Sequence, residues 1–367
     1  DNCSNIIRIL FVDFSRAFDL FDHNIVKNKL ESGNCPAMLS NWILSFLDNR
    51  VQYVKVGDNY SDKLVINAGV PQGTRAGPNC FKLLIRDLSF HLPYIKYVDD
   101  VSVVSVSCDE ADCGMQHALD ELLSWCLVNG MHLNNNKTKE MVITFGSRVK
   151  MDKCISLISD GCVIDRVHEF KILGVILSSD LTRTKHVKHI VSKASKRIFA
   201  ICHLVRCGFS TDDIVKIYCA LVRSVLEYAS QAWHSGLSKS LSDDIEHVQR
   251  RCMHIIFPYL SYSDALSVSG LQLLSVRREQ AVMRLFDEIK NPNHILHKLL
   301  PLKPSRPGSL TRDKYPYELK ASRTARRHHS MISYCISVTA DTLLPVVRRC
   351  PHSRPSPLRP GRSHAWF

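Results

Sequence analysis

Three carboxylates hold the chemistry that this sequence could perform. Asp13 follows the apolar, β-branched run 6–12, and Asp99 and Asp100 stand side by side between two further β-rich runs, 94–98 and 101–104. An acid at the end of a buried strand is costly unless it is paired or binds a metal. If the two stretches meet, like charges about 4 Å apart repel by roughly 4 kcal/mol at an intermediate dielectric. A divalent cation would remove that penalty. Hard oxygen ligands favour Mg²⁺, with Mn²⁺ as the alternative, and Mg²⁺ typically takes one or two carboxylates together with substrate phosphates and water. Two such ions can activate an attacking hydroxyl and stabilise a leaving pyrophosphate. Spacing alone leaves other readings open. Adjacent acids at a turn are most often solvated, and a lone Asp such as Asp13 more often caps a helix.

The elements that must position these acids follow from periodicity. Residues 6–12 read as a buried strand. Residues 94–104 read as a hairpin with Asp99-Asp100 at its turn. Adjacent strand residues point to opposite faces, so two neighbouring acids share a site only at such a turn. Helical spacing over 17–30 aligns Phe18, Phe21, Ile25 and Leu30. Pro36 opens a second helix with Met38, Leu39, Trp42, Ile43 and Phe46 on one side. Residues 51–56 and 64–66 form a hairpin turning at 57–59. A Gly/Pro loop spans 68–77, and Pro78 opens a helix to about Leu88. A helix over 111–129 places Leu119, Leu122, Leu123 and Cys126 on one face and ends at Gly130. Strands follow at 141–145, 163–167 and 170–177. This alternation predicts an α+β or α/β first domain over 1–177. From Val187 to about Leu300 the period becomes helical, with stripes such as Ile190, Ala194, Ile198 and Ile201. No internal repeat interrupts the chain.

Composition sets the outer limits. The chain has 367 residues, 45% hydrophobic and 23% charged, which excludes a mostly disordered or collagen-like molecule. No apolar run reaches the ~18 residues a membrane span needs, so no membrane partner is expected. The chain begins at Asp1 with no basic-then-apolar segment after it, the expected mark of a fragment or of a gene model cut at its start. Its fourteen cysteines are scattered without a CxxC pair, and Cys202, His203 and Cys207 lack the second pair of a zinc finger. Free thiols in a reducing compartment are therefore expected: an intracellular protein, nuclear or cytoplasmic, not secreted. The net charge is +13, and residues 301–367 alone hold thirteen Lys/Arg against three Asp/Glu, with nine of the fifteen prolines. That basic, Pro-rich tail, with Arg323, Arg326, Arg327, His328 and His329, reads as solvated chain. It is also able to hold a phosphate backbone by releasing counterions.

The order of segments then becomes specific. Residues 11–19 (FVDFSRAFD), 69–73 (GVPQG), 97–100 (YVDD), 133–138 (LNNNKT) and 170–175 (FKILGV) together resemble the reverse transcriptases of non-long-terminal-repeat (LINE-type) retrotransposons, in particular the jockey-like elements. The resemblance runs over roughly 6–300. It implies an α+β right-hand polymerase palm, an antiparallel sheet with packed helices over 1–177, then a helical thumb over 178–300 and the basic tail over 301–367. It implies an RNA-directed DNA polymerase that uses two Mg²⁺, an RNA template, a DNA primer and deoxynucleoside triphosphates; protein partners stay open.

By the same resemblance, Asp13 and Asp99 are the principal metal ligands, Asp100 is the third acid, and the Phe14 carbonyl faces the same ions. Phe18 matches the aromatic gate that excludes a ribose 2′-hydroxyl; alone it reads as a core aromatic. Gln72 contacts the nucleotide or template from the loop carrying Gly69, Pro71 and Gly73. Lys137 lies near the triphosphate. Tyr97, Leu173 and Gly174 contact template and primer, the latter two in a hairpin over 170–177 that grips the primer end. His186, Lys188 and Lys196 are candidates for following the duplex. The family's fingers region and endonuclease would precede Asp13, where only about a dozen residues stand. A catalytically inactive nucleic-acid-binding remnant is the second reading. An RNA-dependent RNA polymerase is a third, against which Phe18 argues.

Overall fold

The computed structural model describes residues 6–71, 73–107, 114–145, 154–301, 317 and 330–342. The chain divides into two compact units, Asp1–Thr182 and Arg183–Phe367.

The first unit is built on β1 (Ile6–Val12), the strand that the sequence pattern outlines. β1 lies between β7 (Asp100–Ser107) and β8 (Lys139–Thr144), and β6 (Tyr94–Tyr97) closes the far edge of β7. All three pairings are antiparallel, which settles the open choice in favour of α+β. Side chains alternate across β1. Leu10 and Val12 enter the main core, and Phe11 packs on the other face with Met141 and Ile143. The core is completed by α1 (His23–Ser32), α2 (Ala37–Leu47), α3 (Ala76–Leu84) and α4 (Gly114–Val128). Arg8 and Glu140, both buried, pair at 2.6 Å beneath the sheet, and Arg166 joins Glu140 at 2.9 Å.

Several boundaries differ from the periodicity, each for a local reason. α1 starts at His23 rather than residue 17, because the Asp22 carboxylate accepts the N–H of Asn24 at 2.7 Å and caps it there. Phe18 and Phe21 therefore sit on a turn. On α2 the buried residues are Ile43 and Leu47, while Met38 is 85% and Trp42 60% exposed, so the supposed single apolar side is only partly covered. α3 opens at Ala76 and stops at Leu84, and the Lys96 ammonium takes the freed carbonyls of Ile85 and Leu88 at 2.9 and 2.7 Å. β2 (Arg50–Gln52) pairs with β5 (Leu64–Ile66), and β3 (Lys55–Val56) with β4 (Asn59–Tyr60), as the hairpin reading expects. Of 163–167 only the start is strand, in β9 (Ile158–Ser159) and β10 (Cys162–Val163); Asp165 and Val167 bond instead to the backbone of Glu140. β11 (Glu169–Ile172) and β12 (Val175–Ser178) form a hairpin through Leu173-Gly174.

The second unit is helical: α5 (Thr184–Arg206), α6 (Thr211–Tyr218), α7 (Ser224–Glu227), α8 (Lys239–Ile256), α9 (Tyr262–Ser269) and α10 (Leu274–Ile289). A π-helical turn, Cys219–Arg223, joins α6 to α7. The stripe of Ile190, Ala194, Ile198 and Ile201 is buried on α5. So is His186, which packs on Trp233 and is not available to follow a duplex; Lys188 and Lys196 are exposed. The tail is not wholly solvated chain. α11 (Met331–Thr342) buries Cys335 and Ile336 with Val282 and Phe286 of α10. Arg323, Arg326, Arg327, His328 and His329 lie outside the described residues. Among the described residues no helix is long and apolar enough to cross a membrane, and the described cysteines are free thiols.

Candidate active site

The sheet register decides where the acids fall. Val12 of β1 pairs with Val101 of β7, so Asp13 and Asp100 occupy the ends of the next rung. β6 and β7 are joined by Val98-Asp99, with Val98 in the left-handed region at φ 56°. Tyr97 pairs with Asp100. Asp100 is thus the first residue of β7, and only Asp99 sits in the turn, one step from the sequence expectation. Asp13 is half-buried and the other two acids are exposed. Burial, Asp99 and Asp13 together raise the Asp100 carboxyl above the usual range. Among the described residues none of the three carboxylates has an ion-pair or hydrogen-bond partner in the protein.

The backbone of Asp13 is held tightly. Its N–H donates to the Thr138 hydroxyl at 3.2 Å, and its carbonyl accepts the N–H of Asn134 at 2.8 Å. The N–H of Ser15 donates to His132 at 2.8 Å, and Phe14 bridges Leu133. The segment 132–138 is therefore a splint along the end of β1. Asn134 and Thr138 are positioning residues that periodicity alone does not reveal. The available signal was an Asn-x-x-Lys-Thr turn directly before a strand, whose fully buried threonine must satisfy its hydroxyl. Lys137 projects from the same splint and is exposed. The Phe14 ring is buried, 6.1 Å from Trp125, which leaves its backbone as the part able to meet a ligand.

One cavity of about 440 Å³ is lined by Asp13, Asp100, Lys137, Phe170, Lys171 and Ile172, among others. It joins two acids, the lysine and the β11–β12 hairpin, which is anchored by Phe170 stacking on Phe11 at 4.0 Å. Leu173 (φ 45°) and Gly174 (φ 85°) make the hairpin's turn and do not line this cavity. Tyr97 is exposed opposite Asp100.

A second group forms around Gly69. Its N–H donates to Phe21 at 2.7 Å, and that of Val70 to Phe18 at 2.8 Å. Gly69 has φ 87°, and a Cβ there would lie 3.2 Å from the carbonyl oxygens of Phe18 and Asp19. Only glycine allows this approach. A cavity of about 680 Å³ is lined by Asp19, Arg50, Gln52, Tyr53, Gly69 and Pro71, among others, and does not include the acids. Phe18 lines neither cavity; it is half-buried and packs on Phe81, ring centroids 5.1 Å apart. Gly73 is exposed with φ 81°, and Gln72 lies outside the described residues.

Residues 4–177 match the family model for reverse transcriptase (RNA-dependent DNA polymerase). A probable RNA-directed DNA polymerase from transposon BS of Drosophila melanogaster is 28% identical over 316 residues, covering 81% of this chain and 34% of the relative. The RNA-directed DNA polymerase from mobile element jockey of Drosophila funebris is 29% identical over 237 residues, covering 61% of this chain and 25% of the relative. Among solved structures, a telomerase from Candida tropicalis in complex with a fragment of telomeric RNA aligns with TM-score 0.41 and 11% identity, over 79% of this chain and 43% of that one. The chain spans about a third or less of the length of these curated relatives.

Proposed function

Because residues 4–177 belong to the reverse transcriptase family, of the LINE type carried by mobile elements, we propose that the carboxylate site catalyses RNA-directed DNA synthesis. The reaction joins a primer 3′-hydroxyl to the α-phosphate of a deoxynucleoside triphosphate and releases pyrophosphate. The observation that carries this reading is the register Val12↔Val101, which sets Asp13 beside Asp100 with Asp99 one residue away.

The donor set fits divalent cations. It is all hard oxygen, and no cation of the protein neutralises it among the described residues. Asp13, Asp99 and Asp100 would hold two Mg²⁺, with the Phe14 carbonyl beside them. Bound there, Mg²⁺ makes the hydroxyl a better nucleophile and offsets charge on the departing pyrophosphate. The remaining work belongs to the chain. Asn134 and Thr138 fix Asp13 through its backbone, so the acid meets its ligand without reorganising. Lys137 supplies positive charge to the triphosphate. Phe18, backed by Phe81, would exclude a 2′-hydroxyl, and the 69–73 loop with Gln72 would contact nucleotide and template. Leu173, Gly174 and Tyr97 would contact primer and template. We read the first unit as palm and the helical second unit as thumb, with Lys188 and Lys196 on its exposed surface.

The test is primer extension on an RNA template with Mg²⁺. Asp99→Asn should lose at least about 100-fold in rate, while Lys303→Ala in the tail should keep wild-type activity. Equal activity of Asp99→Asn and wild type would overturn the assignment.

A further inference from the structure

Away from the carboxylate site, one side-chain cluster has the chemistry of a transition-metal site. His91 lies between α3 and β6, and His117 and Glu121 stand one turn apart on α4. The Nδ1 of His91 is 3.0 Å from Oε2 of Glu121 and 3.1 Å from Nδ1 of His117. The Nδ1 of His117 is 3.8 Å from Oε1 of Glu121. We propose that His91, His117 and Glu121 bind one Zn²⁺-class ion, which clips the segment entering β6 to α4.

Three observations carry this. The first is distance. Tetrahedral zinc with bonds of about 2.0–2.1 Å has neighbouring ligand atoms about 3.3 Å apart; the two Nδ1 atoms stand 3.1 Å apart, the Glu121 carboxylate meets them at 3.0 and 3.8 Å through its two different oxygens, and one donor atom from each residue falls within 4.8 Å of the others. The second is the confrontation of two Nδ1 atoms. They cannot both carry a proton at 3.1 Å, so one must present a lone pair to the other. A cation would replace the single proton these two nitrogens share and accept both lone pairs. The third is orientation. Glu121 also accepts the backbone N–H of His91 at 3.3 Å, which fixes its carboxylate toward both rings.

The ligand set also separates this site from the acids. Two imidazoles with one carboxylate select zinc, copper or nickel over magnesium. Three protein ligands leave a fourth position, and it opens to solvent, since the His117 side chain is 66% exposed. The consequence is local. His91 precedes β6, the strand that leads to the Asp99 turn, so the clip would steady the entry to that hairpin.

The experiment titrates Zn²⁺ into the full chain under reducing conditions, with Mg²⁺ present throughout, and compares His117→Ala and Glu121→Gln. The His117 side chain lies at the surface and Glu121 is half-buried, and neither belongs to the apolar core. Wild type should take up one more equivalent than either variant, or bind it at least about 10-fold more tightly, the lower end of what losing even an outer-sphere partner costs. Hydrogen exchange should show zinc-dependent protection of residues 89–94 in wild type alone. Co²⁺ in place of zinc should give ligand-field bands that both variants lose. Equal stoichiometry and affinity in all three proteins would overturn the proposal. So would zinc binding that leaves 89–94 unprotected, since the thiols would then be its ligands.

Discussion

Replacing Glu140 by alanine should unfasten the sheet that carries Asp13. Glu140 is fully buried on β8, and Arg8, 3% exposed on β1, donates to it at 2.6 Å. Arg166 donates to the other carboxylate oxygen at 2.9 Å. Removing the carboxylate takes away the charge that the Arg8 guanidinium faces on β8 in a low dielectric. Breaking a buried pair in this way costs about 3–5 kcal/mol. Arg166 is one-fifth exposed and can turn toward water, so most of the loss is assigned to Arg8. At about 1.4 kcal/mol per decade, amide protection in β1 and β8 should fall by roughly 10² to 10⁴. Native-state hydrogen exchange reads this in the first unit without interference from the second. The double replacement Arg8→Met with Glu140→Leu, which removes both charges and keeps apolar volume, should recover most of the protection. Glu140→Ala within about 0.5 kcal/mol of wild type, the range of a neutral surface change, would refute the reasoning. A double variant no better than the single one would show that lost packing, not the stranded charge, is responsible.

Three further outcomes follow from the same geometry. Burial, then His189 and Arg183, push the His186 imidazole down to about 4, and burial with Arg278 does the same to His234. The unfolded chain therefore binds more protons between about pH 4 and 6.5. Stability of the second unit should rise with pH across that window, with about 3 kcal/mol from His186, and His186→Gln should flatten the slope in urea melts. Asp100 has the opposite sign: its folded form holds its proton more tightly, so the ionised group costs stability above its ordinary value of 3.8. Asp100→Asn should melt higher than wild type in EDTA at neutral pH, lose that advantage below pH 3.8, and gain less from Mg²⁺ in thermal unfolding. Gly69→Ala forces a Cβ against the carbonyls of Phe18 and Asp19 at positive φ. It should cost about 1–2 kcal/mol in thermal melts and reduce primer extension together with stability.

Much of this was legible in the sequence because it is local. The run 6–12 has the β-branched residues and length of a buried strand, and it is one. The hairpin over 94–104 announced itself by two apolar runs around an acidic pair, although pairing of Tyr97 with Asp100 moves Asp100 out of the turn and into β7. What periodicity could not supply was the long-range pairing. That β1 lies between β7 and β8, about 90 and 130 residues away, is settled by side-chain packing on both faces of the sheet. The ordered set of five motifs bridged that gap by resemblance. Phe18 and Phe21 looked helical because their spacing suits a helix, but the Asp22 cap starts α1 after them. The Thr138 splint shows in the sequence only as an Asn-x-x-Lys-Thr turn before a strand; that its hydroxyl serves Asp13 depends on a contact across 125 residues, which no local pattern carries. The basic tail hid α11, whose apolar face is short and set among charge and proline.

The central claim is that two distant stretches, around residue 13 and around residues 99–100, share one divalent-ion site. Fe²⁺ substituted for Mg²⁺ in the full chain, with ascorbate and peroxide, generates radicals that cut the backbone beside the bound ion. The account predicts cuts at both stretches of the same protein, suppressed by excess Mg²⁺ and weakened in Asp13→Asn. Cutting at only one stretch, or at neither, or cutting that Mg²⁺ does not suppress, would contradict it.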